Sequence, residues 1–271
     1  MKVVAAFPFF NELDLLEVHL ATLNEVVDHF VITEARFSHA GKIKPLYLQE
    51  NIHRFSDYKS KMTIQVVEEY PEGVTNFEAD WFQREQAKIV LNDLMHDDDY
   101  LVYGDVDEIA RPKKLSLAIQ ELEKRPDIEV AHFAQDLFYY AVNVRETSGT
   151  LLSYMGEYEG VQDKKWLGTT LNRWTLIKDN SLTSLRNPER KAKGIRVSDG
   201  GWHFSWIGSA DGSSVIDRVK MKLENTAHQE FKSVRNMLLL ERRLRNLKDL
   251  VGRRGAKFEL IEEPQDLPEF L

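Results

Sequence analysis

Cysteine is absent from the 271-residue sequence. Its absence excludes disulfide bonds, thiolate metal sites and a cysteine nucleophile, and it is typical of proteins that work in a reducing compartment. Long apolar runs are also missing, so the sequence predicts no membrane-spanning helix. The apolar start, Met1 to Phe10, contains Pro8 and is not followed by a small-residue cleavage site, so we interpret it as a first strand rather than a signal peptide. We therefore expect a soluble, cytoplasmic protein.

An excess of basic residues is missing as well, because the formal net charge is −8. Nucleic-acid-binding domains usually carry a basic face, so this balance argues against a nucleic-acid partner. The loop Gly-x-Gly-x-x-Gly does not follow the first predicted strand, which argues against a dinucleotide-dependent dehydrogenase. The remaining composition, 42% hydrophobic and 30% charged, is that of an ordinary globular protein.

Strand and helix signals alternate along the first half of the chain. Apolar β-rich segments cover 3–9, 29–33, 62–67 and 100–103, and helical patterns cover 12–27, 78–95 and 115–122. This alternation predicts an α/β fold with a mostly parallel, doubly wound sheet and helices on both faces. Ligands of such sheets bind beyond the carboxyl ends of the strands. Asn11, Glu12, Glu34 and the segment 105–108 lie at such ends.

Carboxylates follow the buried strand 100–103 in the pattern Asp105-Val-Asp107-Glu108. Asp105 and Asp107 are two residues apart, so in an extended chain they point to the same side. Two neighbouring carboxylates repel each other unless a cation lies between them, and oxygen ligands of this kind suit Mg²⁺ or Mn²⁺. The pattern therefore predicts a divalent-cation site that also meets phosphate oxygens. An acidic, solvated turn after the strand is the alternative.

The second half gives weaker signals. Segment 130–144 is predicted to be strand, whereas 145–201 is expected to be a long irregular insertion in which Trp166 and Trp174 are candidates for stacking on a sugar. Helices are predicted over 213–225 and 229–251. The last helix carries several arginines, which predict either a solvated face or weak peripheral contact with an anionic membrane.

Several motifs follow one another over roughly the first 230 residues and include the carboxylate segment. They are FFNELDLLE (9–17), VDHFVITE (27–34), GKIKPL (41–46), WFQREQ (81–86), DDYLVYGDVDEI (98–109) and GGWHFSW (200–206). Taken together, these motifs resemble those of glycosyltransferase family 17. The resemblance implies a GT-A type nucleotide-sugar transferase fold, a UDP-sugar donor such as UDP-N-acetylglucosamine, Mn²⁺ or Mg²⁺, and inversion at the anomeric carbon. It also implies a glycan or glycolipid acceptor.

On this basis we expect a single GT-A-like domain over residues 1–271. Residues 1–125 would form the nucleotide-sugar-binding half, residues 126–230 the acceptor and metal half, and residues 231–271 a C-terminal helix and tail. Asp107 is the first candidate for direct metal ligation. Asp105 would bind the metal, the ribose or a metal-bound water, and Glu108 would orient the donor sugar or cap the next turn.

The other site candidates follow from their positions in these motifs. His203, after two glycines, would be a late metal ligand, with a buried structural histidine as the alternative. Asn11, Glu12 and Glu34 would contact the uridine, although Glu12 also suits a helix N-terminus. Arg84 would pair with phosphate or with the Asp cluster, or form a fixed salt bridge with Glu12 or Glu34.

An inverting transfer needs a base that accepts the proton of the acceptor hydroxyl. Asp199 is the candidate, and its alternative is a turn-forming aspartate before Gly200. Asp136, Glu146 and Asp163 are rivals for the same role. Two other classes remain open: a metal-dependent nucleotidyltransferase or phosphohydrolase, and a non-catalytic carbohydrate-binding protein on the same fold.

Overall fold

The structure is a computed structural model and describes residues 1–151, 165–186, 194–207, 213–262 and 266–269. The strands are β1 Val3–Phe9, β2 His29–Ala35, β3 Met62–Val67, β4 Tyr100–Tyr103, β5 Glu108–Ala110, β6 Val130–Tyr139, β7 Val144–Glu146, β8 Thr170–Arg173, β9 Gly194–Ser205 and β10 Phe258–Leu260. The helices are α1 Leu13–Leu23, α2 Tyr47–Glu50, α3 Phe77–Glu85, α4 Ala87–Leu94, α5 Pro112–Lys124, α6 Trp174–Ile177, α7 Val215–Asn225 and α8 Val234–Arg245. Short 3₁₀ segments cover Ile52–Lys61, Thr183–Arg186 and Gln229–Phe231.

The first half of the chain forms the parallel part of the sheet. Strands β3, β2, β1 and β4 lie side by side in that order, and all three pairings are parallel. Helical connections link them, as parallel strands require. The carboxyl ends of β1, β2 and β4 therefore meet at one edge, which confirms the α/β prediction and brings the predicted polar residues to this edge.

The second half of the chain completes a mixed sheet. β8 lies antiparallel between β4 and β6, and β9 runs parallel to β6 while pairing antiparallel with the short β5. β7 and β10 extend the far side with antiparallel pairs. The prediction of a mostly parallel sheet thus holds for strands β1 to β4. The later strands form both parallel and antiparallel pairs.

Helices cover both faces of the sheet, as predicted. Along β1, the side chains of Val3, Ala5 and Phe7 pack with α1 and α5, whereas those of Val4 and Ala6 pack with α4 and α6. This alternation is the two-residue period of a strand that is buried on both faces. A further cluster lies between β6 and the helices α7 and α8.

The predicted irregular insertion over 145–201 is wrong in part, because it contains β8, α6 and most of β9. Buried polar residues make β8 resemble a loop in the sequence, although the Thr170 hydroxyl and the Asn172 Nδ2 donate hydrogen bonds to backbone carbonyls of β4. Trp166 and Trp174 are correspondingly buried, so neither is an exposed sugar platform. Trp81, in the predicted helix 78–95, is 48% exposed.

Two predicted helices are each divided into shorter elements. Segment 78–95 is divided into α3 and α4 at Gln86, and segment 229–251 becomes a 3₁₀ turn followed by α8. Serine caps begin α7 and α8, because the Ser214 and Ser233 hydroxyls accept hydrogen bonds from backbone N–H groups three residues on. Val234 and Leu238 face solvent, since α8 packs through Leu240 instead. None of the described helices is long and apolar enough to cross a membrane.

Candidate active site

The carboxylate segment turns sharply after β4 and returns as β5. Gly104 ends the strand, Asp105 to Asp107 form the turn, and Glu108 begins β5 opposite His203 of β9. His19 of α1 fixes the turn, because its Nδ1 lies 2.9 Å from the carbonyl oxygen of Val106. Burial lowers the pKa of His19 to about 4, so the ring is neutral near pH 7 and Nδ1–H is the donor.

Asp105 lies between two guanidinium groups. Its Oδ1 accepts from Arg84 at 2.5 Å and its Oδ2 from Arg186 at 2.6 Å. Burial opposes ionisation of this carboxyl group, but Arg186 and Arg84 outweigh that effect and hold its pKa well below the usual range. Arg84 therefore meets the Asp cluster, as one of the sequence hypotheses proposed, and it does not pair with Glu12 or Glu34.

Arg186 reaches the cluster from the 3₁₀ turn that follows α6. The turn is anchored to α3, because Glu85 accepts hydrogen bonds from the backbone N–H and the hydroxyl of Thr183. Arg186 also donates to Glu108 Oε1 at 2.6 Å and so bridges two carboxylates. Sequence analysis did not identify Arg186, since no local pattern links it to residues 105–108.

Asp107 and His203 are buried together, and the two residues approach without forming a hydrogen bond. His203 Nε2 lies 3.7 Å from Asp107 Oδ2, and His203 Nδ1 has no hydrogen-bond partner among the described residues. Burial raises the pKa of Asp107, but His203 and then Lys222 outweigh it, and the net shift is downward. The indole of Trp166 packs on the imidazole with ring centroids 4.3 Å apart.

Glu108 is fully enclosed by hydrogen-bond donors. Trp166 Nε1 donates to Oε1 at 2.6 Å, and the Asp105 backbone N–H donates to Oε2 at 2.9 Å. Burial raises the pKa of Glu108, and the neighbouring Arg186 opposes the shift. Glu108 therefore fixes the turn that carries Asp105 and Asp107.

Asn11 and Glu12 border a small cavity next to the carboxylates. Glu12 accepts from the backbone N–H groups of Phe10 and Asn11, and its Oε1 lies 3.3 Å from Lys222 Nζ on α7. The cavity is lined by Asn11, Glu12, Trp206, Ile207, Arg218, Met221 and Lys222. Lys222 and Arg218 are further residues that sequence analysis did not identify.

Glu34 is buried at the carboxyl end of β2, where its oxygens are used within the protein. They accept from the backbone N–H groups of Leu48 and Gln49 at 3.0 and 3.3 Å, and Lys44 Nζ lies 3.6 Å away. Burial raises the pKa of Glu34. This arrangement ties α2 to the sheet, and contact of Glu34 with a uridine stays a prediction.

Asp199 is not brought to the carboxylate cluster. It lies on β9 beyond the Ala110–Gly201 pair, its side chain is 56% exposed, and it pairs with Arg111 at 3.0 Å. Among its rivals, Asp136 pairs with Lys165 and Glu146 binds the loop at Ser148 and Gly149. Asp163 lies outside the described residues. The identity of the base stays a prediction.

The donor set of Asp107 and His203 fits an open divalent-cation site. Within the described ranges, no three His, Asp or Glu side chains are grouped so that they could enclose a metal ion. Cations of the Mg²⁺ and Mn²⁺ type are often held by one or two protein ligands, with substrate phosphates and waters completing the shell. The Asp107 carboxylate and the His203 Nε2, 3.7 Å apart, suit that arrangement, whereas both oxygens of Asp105 already accept hydrogen bonds from arginines.

Comparisons with known proteins identify a family. A sequence model described as glycosyltransferase family 17 matches residues 1–247. None of the curated proteins compared with the chain matches it. One similar solved structure, CMP:2-keto-3-deoxy-manno-octonic acid synthetase complexed with CTP, has 12% identity and a TM-score of 0.41 over 85% of this chain and 100% of that chain. A 2-C-methyl-D-erythritol 4-phosphate cytidylyltransferase of Francisella tularensis has 10% identity and a TM-score of 0.44 over 83% and 100%.

Proposed function

The chain belongs to glycosyltransferase family 17, and from this premise we propose that it transfers N-acetylglucosamine from a UDP-sugar to a hydroxyl of a glycan or glycolipid with inversion. The observation that supports this proposal is the buried Asp107–His203 pair at the carboxyl ends of the strands, beside the cavity at Asn11 and Glu12. Ligands of α/β sheets bind at this edge.

Asp107 and His203 would hold Mn²⁺ or Mg²⁺ in this proposal. The cation, when bound, would neutralise the charge that develops on the leaving diphosphate. The protein keeps both ligands in place by other contacts, because the Asp107 carbonyl accepts from the Phe204 N–H at 2.8 Å and His19 holds Val106. Asp105 would act by orienting Arg84 and Arg186 at the edge of the site.

The transfer itself would be a single displacement. The acceptor hydroxyl oxygen forms a bond to the anomeric carbon while the bond from that carbon to the diphosphate oxygen breaks. UDP leaves with the bonding electron pair, and the hydroxyl proton passes to a carboxylate base. Asp199 remains the candidate base, and Asp199→Asn should then lower transfer without lowering UDP binding.

The test of the proposed function is UDP release and sugar transfer from purified protein. UDP-N-acetylglucosamine, UDP-glucose, UDP-galactose and GDP-mannose are supplied in turn with Mn²⁺ or EDTA. We expect UDP release from UDP-N-acetylglucosamine in Mn²⁺. The rate of release should fall by at least about 100-fold in Asp107→Asn, since removal of one group that stabilises the transition state typically lowers kcat by about 10²–10³. Asp97→Asn is the control, because Asp97 is an exposed residue that pairs only with Lys178 among the contacts described.

Parallel assays, one with a nucleoside triphosphate and a sugar phosphate and one of glycan binding, separate the competing classes. Release of pyrophosphate from a nucleoside triphosphate and a sugar phosphate would indicate a nucleotidyltransferase instead. Absence of turnover with every donor, together with retained binding of a glycan, would indicate a carbohydrate-binding protein. Normal activity of Asp107→Asn would remove the metal assignment even if sugar transfer is observed.

We also propose that α8 makes peripheral contact with an anionic membrane that carries the acceptor. Val234 and Leu238 are 77% and 78% exposed, one turn apart, and the exposed Arg242 follows on the same helix. Apolar and basic side chains on one helix face suit an anionic lipid surface. Sedimentation with phosphatidylglycerol vesicles should fall in Leu238→Ser and not in the control Ile89→Ser. Absence of wild-type binding at moderate salt would contradict the proposal.

A further inference from the structure

Helix α7 brings a lysine to the carboxylates of two different strands. Lys222 Nζ lies 3.3 Å from Glu12 Oε1, after β1, and 3.8 Å from Asp107 Oδ2, after β4. An ammonium has three N–H donors, and the one hydrogen bond described for it is to Glu12.

Arg218 lies one helical turn before Lys222 and lines the same cavity. Its Nη1 donates to the Ser213 carbonyl at 3.0 Å, while its buried Nε has no hydrogen-bond partner in the part of the chain that the structure describes. A buried donor without a partner is costly, so a ligand oxygen bound at this point would remove that cost. Residues four apart on a helix lie on one face, so Arg218 and Lys222 can meet the same ligand.

We propose that Lys222 and Arg218 form a protein-borne cationic subsite for the diphosphate of the donor, on the face of α7 that borders the cavity at Asn11 and Glu12. The inference rests on the proposed function and names how that site holds its donor. Asn11 and Glu12, which are predicted to contact the nucleoside, line this cavity, and Lys222 connects it to Asp107. The diphosphate of a nucleotide sugar has to lie between its nucleoside and the metal ligand. A guanidinium fork and an ammonium are the protein groups best suited to phosphate oxygens.

A purely structural ion pair is the competing explanation, since Lys222 already balances Glu12 and Asp107. That explanation accounts for Lys222 alone. It leaves the Arg218 Nε without a hydrogen-bond partner among the described residues. The diphosphate subsite accounts for both cations.

The experiment compares the affinities of UDP and of uridine for the purified protein by calorimetric titration in EDTA and in Mn²⁺. We expect wild type to bind UDP in EDTA. Lys222→Met should weaken UDP binding in EDTA by roughly 10- to 100-fold, the range for hydrogen bonds to charged groups, and change uridine binding less than about 2-fold. Arg218→Met should act in the same direction, and Lys222→Arg should restore most of the affinity.

Lys220→Met is the matched control, because Lys220 lies on the same helix and is exposed. It should leave both affinities unchanged. Equal weakening of UDP and uridine in Lys222→Met would indicate a collapsed site and overturn the subsite. Absence of UDP binding by wild type in EDTA would overturn it as well.

The outcomes also separate this inference from the proposed function. Sugar transfer with UDP affinity that is the same in wild type and Lys222→Met would retain the glycosyltransferase and reject the subsite. UDP affinity that depends on Lys222, without sugar transfer to any acceptor or water, would retain the subsite and reject the proposed reaction. Absence of UDP binding in both media would reject the two together.

Discussion

Gly168 is packed so closely against Glu108 that no side chain fits. A Cβ atom at this position would lie 2.0 Å from Glu108 Oε1 and 2.3 Å from Trp166 Nε1. Both atoms belong to the hydrogen bond that encloses Glu108, so neither can move without breaking it. Because Gly168 has no side chain, Glu108 can pack directly against it and keep its hydrogen bond to Trp166. Glu108 in turn fixes the turn that carries Asp105.

Gly168→Ala should consequently destabilise the fold by about 1–3 kcal/mol, the usual cost of overpacking a core. It should also lower UDP release from the donor. Urea denaturation and the release assay measure the two effects. Gly73→Ala is the control, because open space surrounds that position and only its φ of 80° resists a side chain. Activity of Gly168→Ala equal to that of the control would contradict the role of Glu108.

His19 makes the stability of the fold depend on pH. Its folded pKa is lowered to about 4 by burial, with the hydrogen bond to Val106 and the charge of Asp107 opposing the shift, from an ordinary value of 6.5. The unfolded chain therefore binds a proton at His19 at a higher pH than the folded chain does. Stability from this residue is complete above pH 6.5, falls as the pH decreases toward 4, and falls no further below that value.

The loss of unfolding free energy attributed to His19 should be on the order of 3 kcal/mol, because the pKa is about 4 in the folded chain and 6.5 in the unfolded chain, and each pH unit between them contributes about 1.36 kcal/mol. His19→Gln keeps a donor for the Val106 carbonyl but does not titrate. Urea denaturation between pH 7.5 and 4 should thus show a smaller decline for His19→Gln than for wild type. Burial also lowers the pKa of His39, which contributes equally to the decline in both proteins. The effect of His19 is therefore the difference between the declines of wild type and His19→Gln. Parallel declines would contradict the assignment.

The sequence predicted site residues best where several of them lie close together in one short motif. Asp105, Asp107 and Glu108 were identified from one strand end, and the structure places all three in one cluster with His203. Arg186 and Lys222 were missed because each is brought in by a distant segment, and an isolated basic residue has no pattern. Glu34 was identified correctly as a residue at a strand end, but a buried backbone contact there looks the same in sequence as a ligand contact.

At the scale of elements, the tryptophans show where a sequence pattern misleads. Trp174 begins α6 and is buried with Ile177 against β4, whereas Trp81 lies on the outer side of α3. The surrounding sequence suggested the opposite, because Trp174 lies among polar residues and Trp81 lies in a helical apolar pattern. Polar residues that pair inside a sheet, such as Asn172, make a buried strand resemble a loop.

Trp174→Ala should destabilise the protein by about 3–5 kcal/mol, as expected for a large side chain removed from a core. Trp81→Ala should change the stability by no more than about 0.5 kcal/mol, because the site is at the surface. Guanidinium denaturation followed by far-ultraviolet circular dichroism measures both variants under the same conditions. Equal destabilisation by the two substitutions would contradict the burial that the structure assigns to them.

At the scale of the whole molecule, the sheet joins the two predicted halves of the chain. Strand β8 pairs with β4 from the first half and with β6 from the second. The largest core cluster likewise contains residues of α1 and β1 together with residues of β6, β8 and β9. The alternation of strands and helices was sufficient to predict the parallel half, whereas the antiparallel additions depend on pairings between strands far apart in sequence.

This shared core predicts that residues 1–125 and the rest of the chain unfold together. Guanidinium denaturation should give one transition, with coincident midpoints by circular dichroism and by tryptophan fluorescence, because a shared hydrophobic core is lost as a unit. A fragment of residues 1–125 should remain unfolded, since β4 would lose its partner β8 and the first core cluster would lose its second-half members. Two separated transitions, or a folded fragment, would show instead that the nucleotide-sugar half is a domain of its own. In that case the pairing of β4 with β8 would be an interface between domains rather than part of one continuous core.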